Sequence, residues 1–332
     1  MKALVYTGTN EVKYQDEPLL NPSPGEAQIK IDAVGICGSD MHAYHGEDPR
    51  RVPPLILGHE ASGVVVDGEQ IGKRVVINPL IPCDRCEDCY SGRSNLCKNR
   101  KLIGMNFPGA FADYVNIKEK NLITIPEGMG TTHAALTEPT ATSLHSIHLA
   151  EKVLHRPVSE GRALVIGGGS IGLLAALILR SHGCNEILLC DTNDLRLKTA
   201  LKTGCCKVFD PKNEPSNFEN RFELVIDAVG MESTRNLAIR AVRSGGVLMH
   251  IGLQQGLGTC DFRKITLGEI TVIGTYTYTH CDMQAALLAI NSGGLGDFSW
   301  IEERPLSEGA LAFSDLNNGL SAAPKIVLHP NI

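Results

Sequence analysis

Residues 162–180 read RALVIGGGSIGLLAALILR. An apolar run of strand length passes into Gly167-Gly168-Gly169-Ser170-Ile171-Gly172 and then into an apolar stretch of helical length. This is G-x-G-x-x-G between a strand and a helix, the context in which the pattern binds a dinucleotide. Gly167 allows the tight turn, Gly169 lets the backbone approach a pyrophosphate, and Gly172 lets helix pack on strand. The helix start at Ser170 and Ile171 offers N–H groups and partial positive charge to the phosphates. The next strand, EILLC, leads to Asp191, 19 residues after Gly172. A carboxylate there accepts hydrogen bonds from both adenosine ribose hydroxyls and repels a 2′-phosphate, so NAD is expected rather than NADP. Arg196 and Val229 are expected on the cofactor side, although a solvated helix residue is the plainer reading of Arg196. The bland alternative for the whole stretch is a glycine-rich turn with a surface aspartate. The coincidence of motif, element order and acid speaks against it.

Outward from this turn, strands and helices alternate: a helix over 170–182, EILLCD, the helix DLRLKTALKTG, KVFD, ELVIDAVG, a helix over 232–243, GVLMHIG and EITVIGTY. That spacing implies βαβ units and a parallel sheet. Just upstream, PTATSLHSIHLAEKVL reads as a helix with Pro139 at its first position. Before Glu138 the texture differs. KALVY, AQIKIDAVG, SGVVVDG, KRVVINP and ADYVNI are β-branched runs broken by Gly, Pro, Asn and Asp, which predicts an all-β or barrel-like region without a helix of any length. The tail predicts helices near 283–290 and 308–320 and a strand KIVLHP.

The 332 residues suffice for two domains, and 43% hydrophobic with 20% charged residues is an ordinary globular balance. A net charge of -6 without a basic block excludes nucleic acid and anionic membranes as expected partners. The start, MKALVYTGTNEVKY, lacks the apolar core of a signal peptide, and the longest apolar stretch is too short to span a bilayer. A cytoplasmic protein is expected.

Cys83, Cys86, Cys89 and Cys97 form C-x2-C-x2-C-x7-C. Four thiolates so spaced can surround one tetrahedral Zn2+, and a site with four cysteine ligands leaves no open position, so this zinc is expected to be structural. Two disulfides are the alternative, against which the tight spacing and the reducing compartment argue. Farther upstream lie Cys37-Gly38-Ser39-Asp40-Met41-His42 and Gly58-His59-Glu60-Ala61-Ser62-Gly63. Cys37, His59 and Glu60 make a plausible mixed ligand set for a second zinc.

These motifs together, C-G-S-D-x-H, G-H-E-x-x-G, the four cysteines and G-x-G-x-x-G in that order, resemble the zinc-dependent medium-chain alcohol dehydrogenases over nearly the whole chain. The likeness is greatest to the polyol and sugar-alcohol branch, which includes sorbitol, galactitol-1-phosphate and threonine dehydrogenases. The resemblance implies an α/β fold: a GroES-like β-rich catalytic domain, residues 1–138 and 279–332 with the zinc lobe at about 83–97, and a Rossmann domain with a doubly wound parallel sheet at 139–278. It implies two zincs per chain, a catalytic one on Cys37, His59 and an acid, and a homo-oligomer, dimer or tetramer. The acid is Glu60 or Glu138, one binding directly while the other holds a metal water or exchanges with it. Ser39 and His42 match the proton relay: zinc acidifies the substrate hydroxyl, Ser39 takes the proton, and the cofactor ribose and His42 pass it to solvent while hydride goes to the nicotinamide.

The chain departs from the branch in places. The stretch between Gly63 and Gly72 is short. At Gly274-Thr275-Tyr276-Thr277-Tyr278, Tyr278 matches a polyol-facing tyrosine but Thr277 stands where sorbitol dehydrogenase has an arginine. Tyr44, His45, Glu138, Tyr276 and Tyr278 are candidate pocket residues. Arg50 and Arg51 read as a solvated pair, with a substrate anion as the alternative, and Lys325 as structural. The expected activity is NAD-dependent oxidation of a secondary alcohol (a polyol, sugar alcohol or sugar acid) to the ketone. The alternatives are an NADPH-dependent carbonyl reductase, a threonine or other small-alcohol dehydrogenase, and a non-enzymatic dinucleotide binder.

Overall fold

The computed structural model describes residues 1–213 and 218–331. Strands β1 (Lys2–Gly8) and β2 (Glu11–Asp16) form a hairpin, followed by β3 (Glu26–Gly35). In β3, Ala27, Ile29 and Ile31 are fully buried in one core while the residues between them are not, the period of two expected when one face of a sheet covers a core. Next come α1 (Gly38–Tyr44), β4 (Leu55–Ile56), β5 (Glu60–Asp67), β6 (Arg74–Ile77), β7 (Leu80–Ile81), α2 (Glu87–Tyr90), β8 (Lys101–Leu102), β9 (Tyr114–Lys118) and β10 (Leu122–Thr124). Helices α3 (Thr131–Ala135) and α4 (Thr137–Glu151) lead into the alternating half.

That half contains β11 (Arg162–Ile166), α5 (Ser170–Ser181), β12 (Glu186–Cys190), α6 (Asp194–Lys202), β13 (Lys207–Phe209), β14 (Phe222–Asp227), α7 (Glu232–Ala241), β15 (Val242–His250), α8 (Phe262–Leu267) and β16 (Thr271–Gly274). Its six strands lie in the order β13-β12-β11-β14-β15-β16, and every neighbouring pair is parallel. This is the doubly wound arrangement, whose order reverses between β11 and β14 and opens a crevice there at the carboxyl ends of the strands. Helix α5 is buried from Gly172 to Leu179 because α4 covers the side facing away from the sheet, which explains its unbroken apolar sequence.

The chain then runs through α9 (His280–Asn291), β17 (Ile301–Pro305), α10 (Gly309–Asn317) and β18 (Lys325–His329). The last two strands return to the β-rich half: β18 pairs with β3 in a seven-stranded sheet ordered β10-β6-β5-β3-β18-β17, with β9 also on β3. A β-rich part and a doubly wound parallel sheet are thus both present.

Several local expectations are corrected. The N-terminal region does hold a helix, α1, whose seven residues are too few to show a period. Helix α4 starts at Thr137, because α3 runs into it through Leu136 in helical conformation, so Pro139 is its third residue. A first-turn amide has no helical partner, and proline is tolerated there. Helix α7 stops at Ala241, where β15 begins. Helix α9 begins three residues early at a capping box between Thr279 and Asp282. Strands β2 and β17 are largely polar, with Val12 the one buried residue of β2 and none in β17.

Helix α9 lies along α4, with Met283, Ala286, Leu287 and Ile290 in the same core as Leu144, Ile147 and the parallel sheet. Buried Asp282 accepts hydrogen bonds from His145 Nδ1 (2.7 Å), His148 Nδ1 (2.8 Å), and the Thr279 amide (3.0 Å) and hydroxyl (2.6 Å). Burial by itself would raise its pKa, but these hydrogen bonds outweigh it and hold the carboxyl below the ordinary carboxylate range. The hydrogen bond to Asp282 raises His148.

Asp282→Asn is expected to cost about 3 kcal/mol near pH 6, the scale for breaking a buried ionic contact. The depressed Asp282 pKa gives stability present above about pH 4 and lost as pH falls through the folded value; the raised His148 pKa adds a part present below about pH 6.5 and lost as pH rises through its folded value. Melting curves of both proteins from pH 3 to 9 should show the widest gap between those limits. A gap independent of pH would remove the charge of Asp282 from the account.

Candidate active site

Cys37 follows β3, His59 immediately precedes β5, and Glu60 opens β5, which pairs with β3 so that Gly35 faces Glu60. One ligand atom each from Cys37, His59 and Glu60 therefore lies within 4.8 Å of the others. A Cβ on Gly35 would sit 2.2 Å from Glu60 Oε2, so only glycine leaves room for this carboxylate. Asp40, fully buried in α1, accepts the Cys37 amide on Oδ2 (3.0 Å) and faces His59 Nδ1 with Oδ1 (3.4 Å). That pairing turns Nε2 of His59 toward the opening, the orientation a carboxylate gives a metal-binding imidazole. A thiol, an outward imidazole nitrogen and a carboxylate at this separation fit a zinc ion with a position left for substrate.

Glu60 is engaged from behind. Lys325 Nζ donates to both of its oxygens (2.6 and 2.8 Å) and to the Ile36 carbonyl (2.8 Å), and both side chains are buried. Burial would discharge Lys325, but the charges of Glu60 and Cys37 overcome it and raise its pKa. Lys325 is thus the counter-ion of a buried carboxylate in the candidate metal group, more than the structural residue expected. Glu138, second residue of α4, lies outside the three-residue group but lines the same cleft. Its carboxyl is pushed up to about 7, mainly by burial, with His59 opposing and the charge of Glu60 adding to the rise.

Ser39 Oγ stands 3.5 Å from His59 Nε2 and accepts a hydrogen bond from Arg51 Nη2 (3.2 Å). Arg51 is not the solvated residue expected: its side chain is buried, donating to Asp48 (2.6 Å) and the Gly104 carbonyl (3.0 Å). Arg50 is half exposed and bidentate on the same Asp48. His42, toward the rim, pairs with Glu47 at 3.3 Å. Tyr44 is also corrected. It is buried against Phe313 (centroids 5.5 Å apart) because it lies on the inner face of α1, and it is His45 that reaches the cleft. Tyr276 lines the cleft, whereas Tyr278 is buried behind it beside Glu138.

Cys83, Cys86, Cys89 and Cys97 also come within 4.8 Å of one another, and all eleven cysteines are free thiols, which rules out the disulfide alternative. Four converging sulfurs fit a closed zinc site.

The cleft, about 650 Å³, runs from Ser39 and Glu138 to the glycine turn and Asp191. Gly167 has φ +104° and Val229 Cγ2 sits 2.7 Å from where its Cβ would be. A Cβ on Gly172 would meet the Gly167 carbonyl at 1.9 Å, whereas one on Gly169 meets nothing within 4 Å, leaving the space a pyrophosphate needs. Ser170 and Ile171, which open α5, line the same space. Asp191 accepts the Gly168 amide (2.6 Å) and the Asn193 amide (2.8 Å), which fixes its carboxylate at the cleft edge. Arg196 faces the cleft with its buried Nε unpartnered.

Residues 23–127 match the alcohol dehydrogenase GroES-like domain and residues 170–292 the zinc-binding dehydrogenase domain. The chain belongs to the zinc-dependent medium-chain alcohol dehydrogenases. It is 33% identical to a sorbitol dehydrogenase of Halalkalibacterium halodurans over 99% of both chains, and 32% identical to L-galactonate-5-dehydrogenase of Escherichia coli over 84% of both. Among solved structures, acetophenone reductase of Geotrichum candidum in complex with NAD superposes with a TM-score of 0.88 at 27% identity, covering 100% of this chain and 98% of that one. As a dehydrogenase of this family, the protein is an oxidoreductase of alcohols. The contacts of Asp40, Arg51 and Lys325 were missed in the sequence. Asp40 stood inside a recognised motif, while Lys325 was expected only as structural and Arg51 as solvated.

Lys325→Met strands a buried carboxylate. The metal-stripped variant is expected to lose on the order of 3–5 kcal/mol relative to stripped wild type, the scale for removing one partner of a buried pair. With zinc restored the loss should shrink, because the metal meets the same carboxylate. Denaturant titrations with chelator and with zinc check this; equal losses would put Glu60 beyond the metal's reach.

Proposed function

We propose that the protein oxidises a secondary alcohol of a polyol, sugar alcohol or sugar acid to the ketone, with NAD as acceptor. The observation that carries this reading is the presence in one cleft of the Cys37–His59–Glu60 group, the Ser39 hydroxyl and a dinucleotide cradle ending at Asp191. The sorbitol and L-galactonate relatives support the substrate class, and the NAD-bound reductase supports the cofactor. Asp191 favours NAD over NADP by charge.

In this reading Cys37, His59 and Glu60 hold the catalytic zinc, with Glu138 as the neighbouring acid, and Cys83, Cys86, Cys89 and Cys97 hold the structural one. A zinc held there would supply Lewis acidity toward the alcohol hydroxyl, and a dinucleotide in the cradle would supply the hydride acceptor. Ser39 accepts the hydroxyl proton and releases its own toward His42 at the rim, so no charge builds up on the serine. Arg51 and Asp40 hold Ser39 and His59 in place. The catalytic domain comprises 1–138 and 279–332 and the nucleotide domain 139–278, with α9 at the seam. The pairing of β18 with β3 supports this return of the chain. A homo-oligomer, dimer or tetramer, is supported by the place of β16 at the end of its sheet among the described residues and by the exposed Phe262 and Leu267 of α8. Eleven free cysteines favour the cytoplasm. No helix among the described residues is long and apolar enough to cross a membrane.

Ser39→Ala is expected to lower kcat by about 10²-fold, the scale of positioned proton transfer. NADH affinity, read by fluorescence, and zinc content should stay at wild-type values. Wild-type turnover in this variant, under conditions where chemistry limits the rate, would remove Ser39 from the proton path.

Metal analysis of active protein is expected to give two zincs per chain, and a chelator should take the open site first, abolishing activity while the fold persists. Loss of both metals in step, or a single zinc in fully active protein, would overturn the two-site assignment.

A further inference from the structure

The four-cysteine lobe does more than close on itself. Its base is the β7–β8 pair, and the chain leaving it supplies Leu102 and Met105 to the wall of the cleft. Two lobe residues also reach across to the nucleotide half. Asn95, almost fully buried, donates through Nδ2 to the Tyr276 carbonyl at 3.0 Å. Arg100 donates to the Cys97 carbonyl at 3.0 Å and lays its guanidinium 4.5 Å from the centre of the Tyr276 ring. One tyrosine is thus held by its backbone and by its ring face, a cation–π contact, from a lobe whose own shape is set by four sulfurs.

The clamped segment is strained. Thr277 has φ +49°, a conformation that β-branched residues rarely adopt. Such strain persists only where the surroundings over-determine it. Tyr276 is held by the lobe on one side of Thr277, and Tyr278 is buried beside Glu138 on the other. Tyr276 and Arg50 both line the cleft, so this end of the pocket offers a phenol and a guanidinium. Such donors recognise oxygen functions, not hydrocarbon.

We propose that Asn95 and Arg100 are positioning residues that make the four-cysteine lobe part of the substrate pocket: by fixing Tyr276 they set the enzyme's preference for alcohols bearing further oxygen functions away from the reacting carbon. This rests on the alcohol dehydrogenase reading of the cleft. Tyr276 binds the remote part of the substrate equally in ground and transition states, so its displacement weakens KM and spares kcat.

The test uses the zinc-loaded enzyme and the variants Arg100→Met, Asn95→Ala and Arg100→Lys, with sorbitol, xylitol and galactonate as oxygen-rich alcohols and 2-butanol as a bare one. Arg100→Met and Asn95→Ala are expected to raise KM for the oxygen-rich alcohols about tenfold, the loss of roughly one polar contact. The kcat, the KM for 2-butanol, NADH affinity and zinc content should all remain within twofold. Arg100→Lys, which keeps the cation, should recover most of the loss. Independently of turnover, the protein is labelled with 3-fluorotyrosine and the Tyr276 signal, one of seven, is assigned by Tyr276→Phe; it should shift in Arg100→Met. Equal KM increases for 2-butanol, a fall in kcat alone, or an unmoved Tyr276 signal overturns the proposal. If wild type oxidised none of these alcohols, the substrate reading would fall, and the fluorine signal would still decide whether the lobe holds Tyr276.

Discussion

Strand β3 lies between β5 and β18, with Gly35 opposite Glu60 on one side and Val327 on the other. Three strand ends therefore meet at one level of the sheet, carrying Cys37 just past β3, His59 and Glu60 at the start of β5, and Lys325 at the start of β18. A slip of one residue in either pairing would turn Glu60 or Lys325 to the opposite face and leave a charge in the core. The register is fixed by burial: Ile29, Ile31, Ala61 and Ile326 are fully buried and belong on the core side. The convergence of Cys37, His59 and Glu60 is thus a consequence of sheet register. The Glu60–Lys325 pair, 265 residues apart in sequence, reports that both pairings are correct.

The cofactor half obeys the same logic with another geometry. In a parallel sheet all carboxyl ends point one way, and here they deliver Gly167 from β11, Asp191 from β12, Val229 from β14 and Thr275–Thr277 from β16 to one crevice. The reversal of strand order between β11 and β14 keeps that crevice open. One cleft lining joins that crevice to Cys37, Ser39 and His59 of the β-rich half. Hydride transfer needs alcohol and nicotinamide in near contact, and this topology supplies that proximity before any side chain is considered.

What the sequence displayed and what it hid divide along the range of the interaction. The glycine turn, the four cysteines and the Cys37 and His59 motifs are local patterns, each dictated by chemistry within a few residues. Arg51 and Lys325 act across folds of the chain, and both look ordinary in sequence: one follows another arginine, the other opens a short apolar strand. Burial changes their meaning, because a buried cation must find an acid, here Asp48 and Glu60. Tyr44 failed for the converse reason. Its place beside the catalytic loop suggested a pocket residue, but α1 turns it inward onto Phe313. Helix α1 itself was hidden by its brevity.

The charges around the catalytic group explain why this opening suits a dication. Asp40 faces His59, Glu60 holds Lys325, and Asp48 holds Arg51, so each of these buried charges has a fixed partner and the positions of Ser39 and His59 are set before any ligand arrives. Glu138 is different: among the described residues no salt bridge reaches it, and its carboxyl is pushed up to about 7, so the fold alone does not settle its charge at neutral pH. Around the opening stand two carboxylates of β5 and α4 and the Cys37 thiol, against one lysine and an imidazole already leaning on Asp40. Acid exceeds base there, in a place burial makes costly for unpaired anions. A divalent cation held by Cys37, His59 and Glu60 would supply the missing positive charge and lower the cost of ionising Glu138 beside it.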